Sequence, residues 1–233
     1  MTTAIDCEVI DLAVMPLREL NQRLHGAATS GGPTKWRILN PNGAHALAVG
    51  IDAPFAIEIE GHTGYYTAGM NKHATVRING NAGVGLAENI MSGTVHVTGS
   101  ASQSCAATGR GGLVIVDGDA SSRCGISMKG VEIVVKGDVG HMSAFMAQTG
   151  AFVICGDAGD ALGDSIYETH IYVRGSVKGL GTDCIEKELK DFHRQELGRL
   201  LTAAGADVTV DEFKRYGSAR RLYTFNIDHA GEY

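Results

Sequence analysis

Three aspartates at equal spacing are the first residues in this chain that could do chemistry. Asp119, Asp138 and Asp157 stand nineteen residues apart, and stacked carboxylates either share a cation or raise one another's pKa. The plainer reading, preferred here, is that each accepts a hydrogen bond from a turn amide. Cys105 and Cys124 carry the same spacing. Two thiols make half of a metal site or a redox pair, but no third and fourth ligand shares the interval, so both are read as core residues. The nine histidines, among them His62, His73, His141 and His170, form neither H-x-x-x-H nor H-E-x-x-H. The remaining candidate is INGNAGVGLAENI at 78–90, where Ile78 leads into Gly80, Gly83 and Gly85 as in a loop that cradles a dinucleotide phosphate. No nucleophile elbow, P-loop Lys-Ser/Thr or separate carboxylate pair occurs. The sequence therefore predicts no catalytic, cofactor or metal site in this chain.

What must position these residues is a repeat. Stepping by nineteen from Gly80 gives Gly61, Gly80, Gly99, Gly118, Gly137, Gly156 and Gly175. Three residues on stand Gly64, Gly83, Ser102, Ser121, Gly140, Gly159 and Lys178; seven on stand Ala68, Ala87, Ala106, Gly125, Ala144, Gly163 and Thr182. Two residues before each glycine the chain is β-branched without exception, from Ile59 to Val173, and four before it is Ile, Val or Phe. The position between is mixed: Glu58, Arg77, His96, Ile115, Val134, Val153, Tyr172. Period-two alternation followed by a glycine corner describes one coil of a parallel β-solenoid, whose coils bury their apolar faces on one another. The glycines of 78–90 are one copy of this pattern, and a strand rather than a helix follows them, so the nucleotide reading is set aside. The corner glycines are expected to be structural, adopting φ > 0 and letting coils approach closely.

The totals agree with a scaffold. The chain has 233 residues, 32 of them glycine, about double the usual share, with four prolines and a net charge of -6. That balance argues against nucleic acid as a partner. No apolar run approaches a membrane span. The start MTTAIDCEVI shows no secretory signal, and the five cysteines form no C-x-x-C, so a cytoplasmic, reduced protein is expected.

The predicted architecture is an all-β core, a right-handed parallel β-helix of about seven 19-residue coils with short flanking helices. Residues 1–39 are read as an N-terminal helix (15–26) and a flexible link (26–33), 40–182 as the β-helix, and 183–233 as a helical cap and tail. The cap helix is placed at 184–206, started by Asp183 and Glu186. Ile115, Val134, Val153 and Tyr172 face outward in a row. Exposed, they would form an apolar stripe larger than a monomer normally shows, so they are assigned as an interface that a partner covers, in preference to the chain's own tail.

The motif carries a resemblance. GNAGVGLA (80–87), GDVGHMSA (137–144) and GDAGDALG (156–163) fit one register, and the repeats over roughly 40–185 resemble the GXGXG domain at the C-terminus of the glutamate synthase large subunit. They are also similar to the β-helix subunit of formylmethanofuran dehydrogenase. The chain looks most like the β-helix subunit of N-methylglutamate synthase. That resemblance implies a non-catalytic subunit beside a glutamine-amidotransferase-like subunit and an FMN-containing glutamate-synthase-like subunit. FMN and iron–sulfur clusters belong to the latter. It carries over no catalytic residue. It leaves open an ammonia-using glutamate synthase or the formylmethanofuran enzyme. A carbohydrate-active β-helix would need long acidic loops that the strict spacing excludes, and a left-handed hexapeptide acyltransferase would show a period near eighteen.

Overall fold

The structure, a computed structural model, describes residues 7–220; the tail from residue 221 onward lies outside them. Its repeating part is a β-solenoid. Seven strands recur at the nineteen-residue interval: β3 (Ala56–Glu60), β4 (Thr75–Ile78), β5 (Thr94–Val97), β6 (Leu113–Val116), β7 (Lys129–Val135), β8 (Thr149–Ile154) and β9 (His170–Val173). Each pairs in parallel with the next, Val76 with Val95 and Val95 with Val114, and so on along the axis. A second parallel ladder runs two residues beyond the corners, through Thr63, Ala82, Ala101, Ala120, Val139, Ala158 and Val177.

The interior is a set of columns. The two strand positions flanking the mixed one are sealed in every coil. Opposite them stand Leu86, Cys105, Cys124 and Leu162, and a further column holds Asn71, Ile90, Met128, Ala147 and Ile166, all buried. Cys105 and Cys124 thus sit in one core column. The Cys124 thiol is held well above its ordinary pKa by the hydrogen bond to Cys105 and by burial, which leaves it unreactive.

Of the two roles expected of the corner glycines, close approach holds along the stack and φ > 0 only at Gly61. Of the seven, Gly61 alone takes a positive φ, 132°. The left-handed residues lie further round the coil: Ala68, Ala87, Ala106, Gly125, Ala144 and Gly163 have φ between 54° and 67°. Larger residues such as Tyr66, Arg123 and Met142 take the same twist, so the small size seven after each corner answers to burial: Ala68, Ala87, Ala106 and Ala144 are sealed in the core. The corner glycine serves close approach. A Cβ on Gly118 would lie 2.5 Å from Ser100 Oγ and 3.0 Å from the Gly99 carbonyl, and Gly99, Gly137, Gly156 and Gly175 face Asn81, Asp119, Asp138 and Asp157 side-chain oxygens in the same way.

Both ends depart from the assignments made from sequence. The sheet starts earlier than residue 40, with β1 (Cys7–Asp11) parallel to β2 (Lys35–Leu39), which pairs with β3. Helix α1 (Leu17–Ser30) lies between them and buries Leu20, Leu24 and Ala27. It runs through Gly26 into the segment expected to be a flexible link, because Ala27 is part of the core and the helix ends only at Gly31, φ 72°. Asn21 ties it to the first turn through Ala46 O (2.9 Å) and Ala48 N (3.1 Å).

At the other end, 184–187 is strand rather than helix. Asp183 turns with φ 64°, and β10 (Cys184–Lys187) pairs antiparallel with β11 (Lys214–Ser218). Strand β11 also pairs antiparallel with β9, so the sheet order ends β9-β11-β10. Helix α2 (Asp191–Ala204) follows β10 and returns along the outside of the sheet.

That return corrects the interface assignment. Ile115 is 4% exposed, and Val134, Val153 and Tyr172 are 0% exposed. They form one cluster with Leu197, Leu200, Leu201, Ala204 and Phe213. The stripe is covered by the chain's own helix, which is clamped by Arg199 Nη1 on Glu132 Oε2 at 3.0 Å. The polar half of the same row lies beyond this cover. There Arg77 meets His96 at 2.8 Å, and His96 and Lys136 both meet Asp117.

Candidate functional site

The aspartate ladder is structural in its geometry. Asp119 Oδ1 accepts from Asp138 N at 2.9 Å, Asp138 Oδ1 from Asp157 N at 2.7 Å, and Asp157 Oδ1 from Ser176 N at 2.7 Å. Asn81 and Ser100 do the same for the coils before. Each side chain closes the one corner amide that the parallel ladders leave free, as buried and turn amides demand. Among the described residues, no group of three or more His, Cys, Asp or Glu is placed to hold a metal ion.

Polar chemistry collects instead where β9, β10, β11 and α2 meet. His170 Nδ1 lies 2.8 Å from Glu196 Oε2, and Tyr172 donates its hydroxyl to the same oxygen at 2.6 Å. His193 stands edge-on to His170, ring centroids 4.8 Å apart, and its Nδ1 accepts the Lys190 amide at 3.1 Å. The other nitrogen, Nε2, is buried and has no partner among the described residues. Burial raises the Glu196 pKa, but the hydrogen bonds from His170 and Tyr172 outweigh it and hold the carboxyl below its ordinary value. Burial and the Glu196 contact push the Tyr172 phenol up, so it stays a donor. Burial, with the Arg215 charge, lowers His193 from 6.5 to about 4.

A titration follows from His193. A base whose folded pKa lies below its unfolded value stabilises fully above the unfolded value and loses that contribution as pH falls toward the folded one. Between pH 7 and pH 5 the chain is expected to lose about 2 kcal/mol through this residue. In urea titrations at the two pH values, His193→Asn, which keeps an acceptor for Lys190 N, should show a smaller loss. Equal losses in both proteins would remove His193 as the cause.

Beside this network opens a cleft of about 490 Å³, lined by residues that include Thr169, His170, Lys187, Arg215, Gly217 and Arg220. Lys187 Nζ donates to Ser218 O at 2.5 Å, and Arg220 pairs with Asp183 at 2.6 Å. Sequence reasoning placed nothing here. In the repeat His170 holds an ordinary strand position, aligned with Ala151; the departure from the column of Gly93, Gly112 and Gly150 is its neighbour Thr169. The available signal was the pair His193 and Glu196 on the buried stripe of α2, two polar residues where Leu197 and Leu200 call for apolar neighbours.

Comparison with known proteins gives a clear relationship. Protein GlxC of Rhizobium meliloti (strain 1021) is 59% identical over 226 residues, covering 97% of this chain and 99% of that protein. The chain belongs to the GlxC family. No family model matches it. No solved structure matches it. No helix among the described residues is long and apolar enough to cross a membrane.

Proposed function

We propose that this GlxC-family chain is the non-catalytic β-helix subunit of a glutamate-synthase-like complex that forms N-methyl-L-glutamate from L-glutamate and methylamine, with release of ammonia. One observation carries the reading: the GXGXG register, unbroken from Gly61 to Gly175 and resembling the glutamate synthase repeat domain. The fold supports it. The coil interior is filled by aliphatic, alanine and cysteine columns, and the repeated polar side chains are spent on corner amides. A body of this kind fixes the distance between partners and leaves the reaction to them. The amidotransferase-like and FMN-containing synthase-like subunits are the proposed partners, and the latter holds the flavin and iron–sulfur groups.

The test is affinity purification of the tagged full chain from its native cells, with mass spectrometry of what co-purifies. An FMN-containing synthase-like chain and an amidotransferase-like chain are expected, together with N-methylglutamate formation from methylamine. A molybdopterin-containing partner would redirect the assignment to the formylmethanofuran enzyme. Turnover with ammonia but not methylamine would leave the assembly standing and change its product to glutamate.

A further inference from the structure

We infer that the cleft between β9, β10 and β11 binds a small anionic molecule through carboxylate or phosphate oxygens, with Arg215 as its principal contact. The cleft's volume, about 490 Å³, is in the range that encloses a small metabolite. Its lining carries Lys187, Arg215 and Arg220 against the single carboxylate of Glu168. Two of these cations are engaged, Lys187 with the Ser218 carbonyl and Arg220 with Asp183. Arg215 is not. Its one side-chain hydrogen bond among the described residues is a long one, Nη1 to Glu188 O at 3.4 Å, and its Nε is buried without a partner. The nearest acidic network offers it no free oxygen pair, because Glu196 Oε2 already takes His170 and Tyr172.

A second buried donor lines the same cleft. Thr169 is 1% exposed, and its Oγ1 has no partner among the described residues. Buried polar groups in folded proteins are nearly always satisfied, so two orphans on residues that line one cavity mark a missing acceptor. A planar guanidinium with free N–H groups matches the two oxygens of a carboxylate or phosphate, and a neighbouring hydroxyl adds a third donor. A Cβ built on Gly217 would stand 3.4 Å from Lys187 Cδ, 3.6 Å from Arg215 Nη2 and 3.8 Å from Thr169 O, all ordinary contacts. A larger side chain on Gly217 would therefore stand against Lys187 and Arg215 at the cleft while removing neither charge.

The full-length chain is titrated calorimetrically at low salt with succinate and with inorganic phosphate. Saturable one-to-one binding of at least one is expected. Phosphate alone would mark a phosphate ester as the natural class, and succinate alone a carboxylic acid. Arg215→Gln should weaken binding tenfold or more, and Gly217→Leu should do so with every charge retained, while Lys214→Gln on the exposed side of β11 should leave it unchanged. Melting curves confirm that the variants are folded, and the Gly217 variant carries the test should Arg215→Gln not fold. The inference is overturned by no saturable binding of either probe, the result expected if water or the chain's own C-terminal segment fills the cleft. Binding that both cleft variants leave intact overturns it equally.

Discussion

Gly118→Val is expected to melt about 10 °C or more below the parent chain, the shift that a loss of several kcal/mol produces in a protein of this size. The cause is collision. The first atom of any side chain at this corner would sit 2.5 Å from Ser100 Oγ and 3.0 Å from the backbone carbon and oxygen of Gly99. The serine could rotate; the Gly99 backbone cannot, because Gly118 N bonds to Gly99 O at 2.9 Å as part of the stack. Relief would require parting two coils and so breaking ladder bonds on both sides. Gly26 is the matched control. It lies in α1, and a Cβ placed on it would meet nothing within 4 Å, so Gly26→Ala should raise stability by about 0.5–1 kcal/mol. Differential scanning calorimetry compares the two. A Gly118→Val chain melting within a degree or two of the parent would refute the packing account of the corners.

Val134→Asp combined with Val153→Asp is expected to detach α2 and, with it, much of the fold's stability. Both valines are fully buried under Leu197, Leu200 and Leu201. Each aspartate would bury a carboxylate with no partner or expel the helix, at a cost of several kcal/mol either way. Detachment exposes 188–212 to protease, so a fast cleavage in that segment, together with a lowered urea midpoint, is the expected outcome. A double variant as stable and protease-resistant as the parent would mean that α2 does not hold this face. Had the stripe been a surface for another subunit, the same substitutions would have left the isolated chain intact.

The parts of the molecule that were legible from sequence are those where one physical constraint is imposed seven times. Stacked parallel coils demand the same side-chain size at the same step, so Val76, Val95 and Val114 announce one another, as do Gly99, Gly118 and Gly137. The backbone reason for each glycine was not legible, since spacing reports that a residue must be small and not whether φ or a neighbour requires it. The cover over Ile115, Val134, Val153 and Tyr172 was half visible. The row turns from Arg77 and His96 to Ile115 at the place where α2 begins to lie across it, but two apolar faces far apart in sequence do not say that they meet. The cleft was not legible as a cleft, although His193 and Glu196 on the apolar stripe of α2 marked the polar network beside it. Arg215 and Thr169 come together only because β11 enters between β9 and β10, an order that no period encodes.

That inserted strand also sets a timetable for synthesis. From β3 to β9 each coil can add to the one before it as soon as its nineteen residues are available, since every pairing is with the preceding turn of chain. The closing pairs cannot follow this course. Val173 waits for Lys214, and Cys184 waits for Ser218, on the far side of α2. On the ribosome, the stack therefore grows with an open final edge until almost the whole chain has emerged. For that interval β9 presents unpaired backbone groups of the kind that recruit foreign strands. A nascent chain stalled before residue 214 would be a long rigid template, and its fate would depend on how soon β11 arrives to occupy the gap.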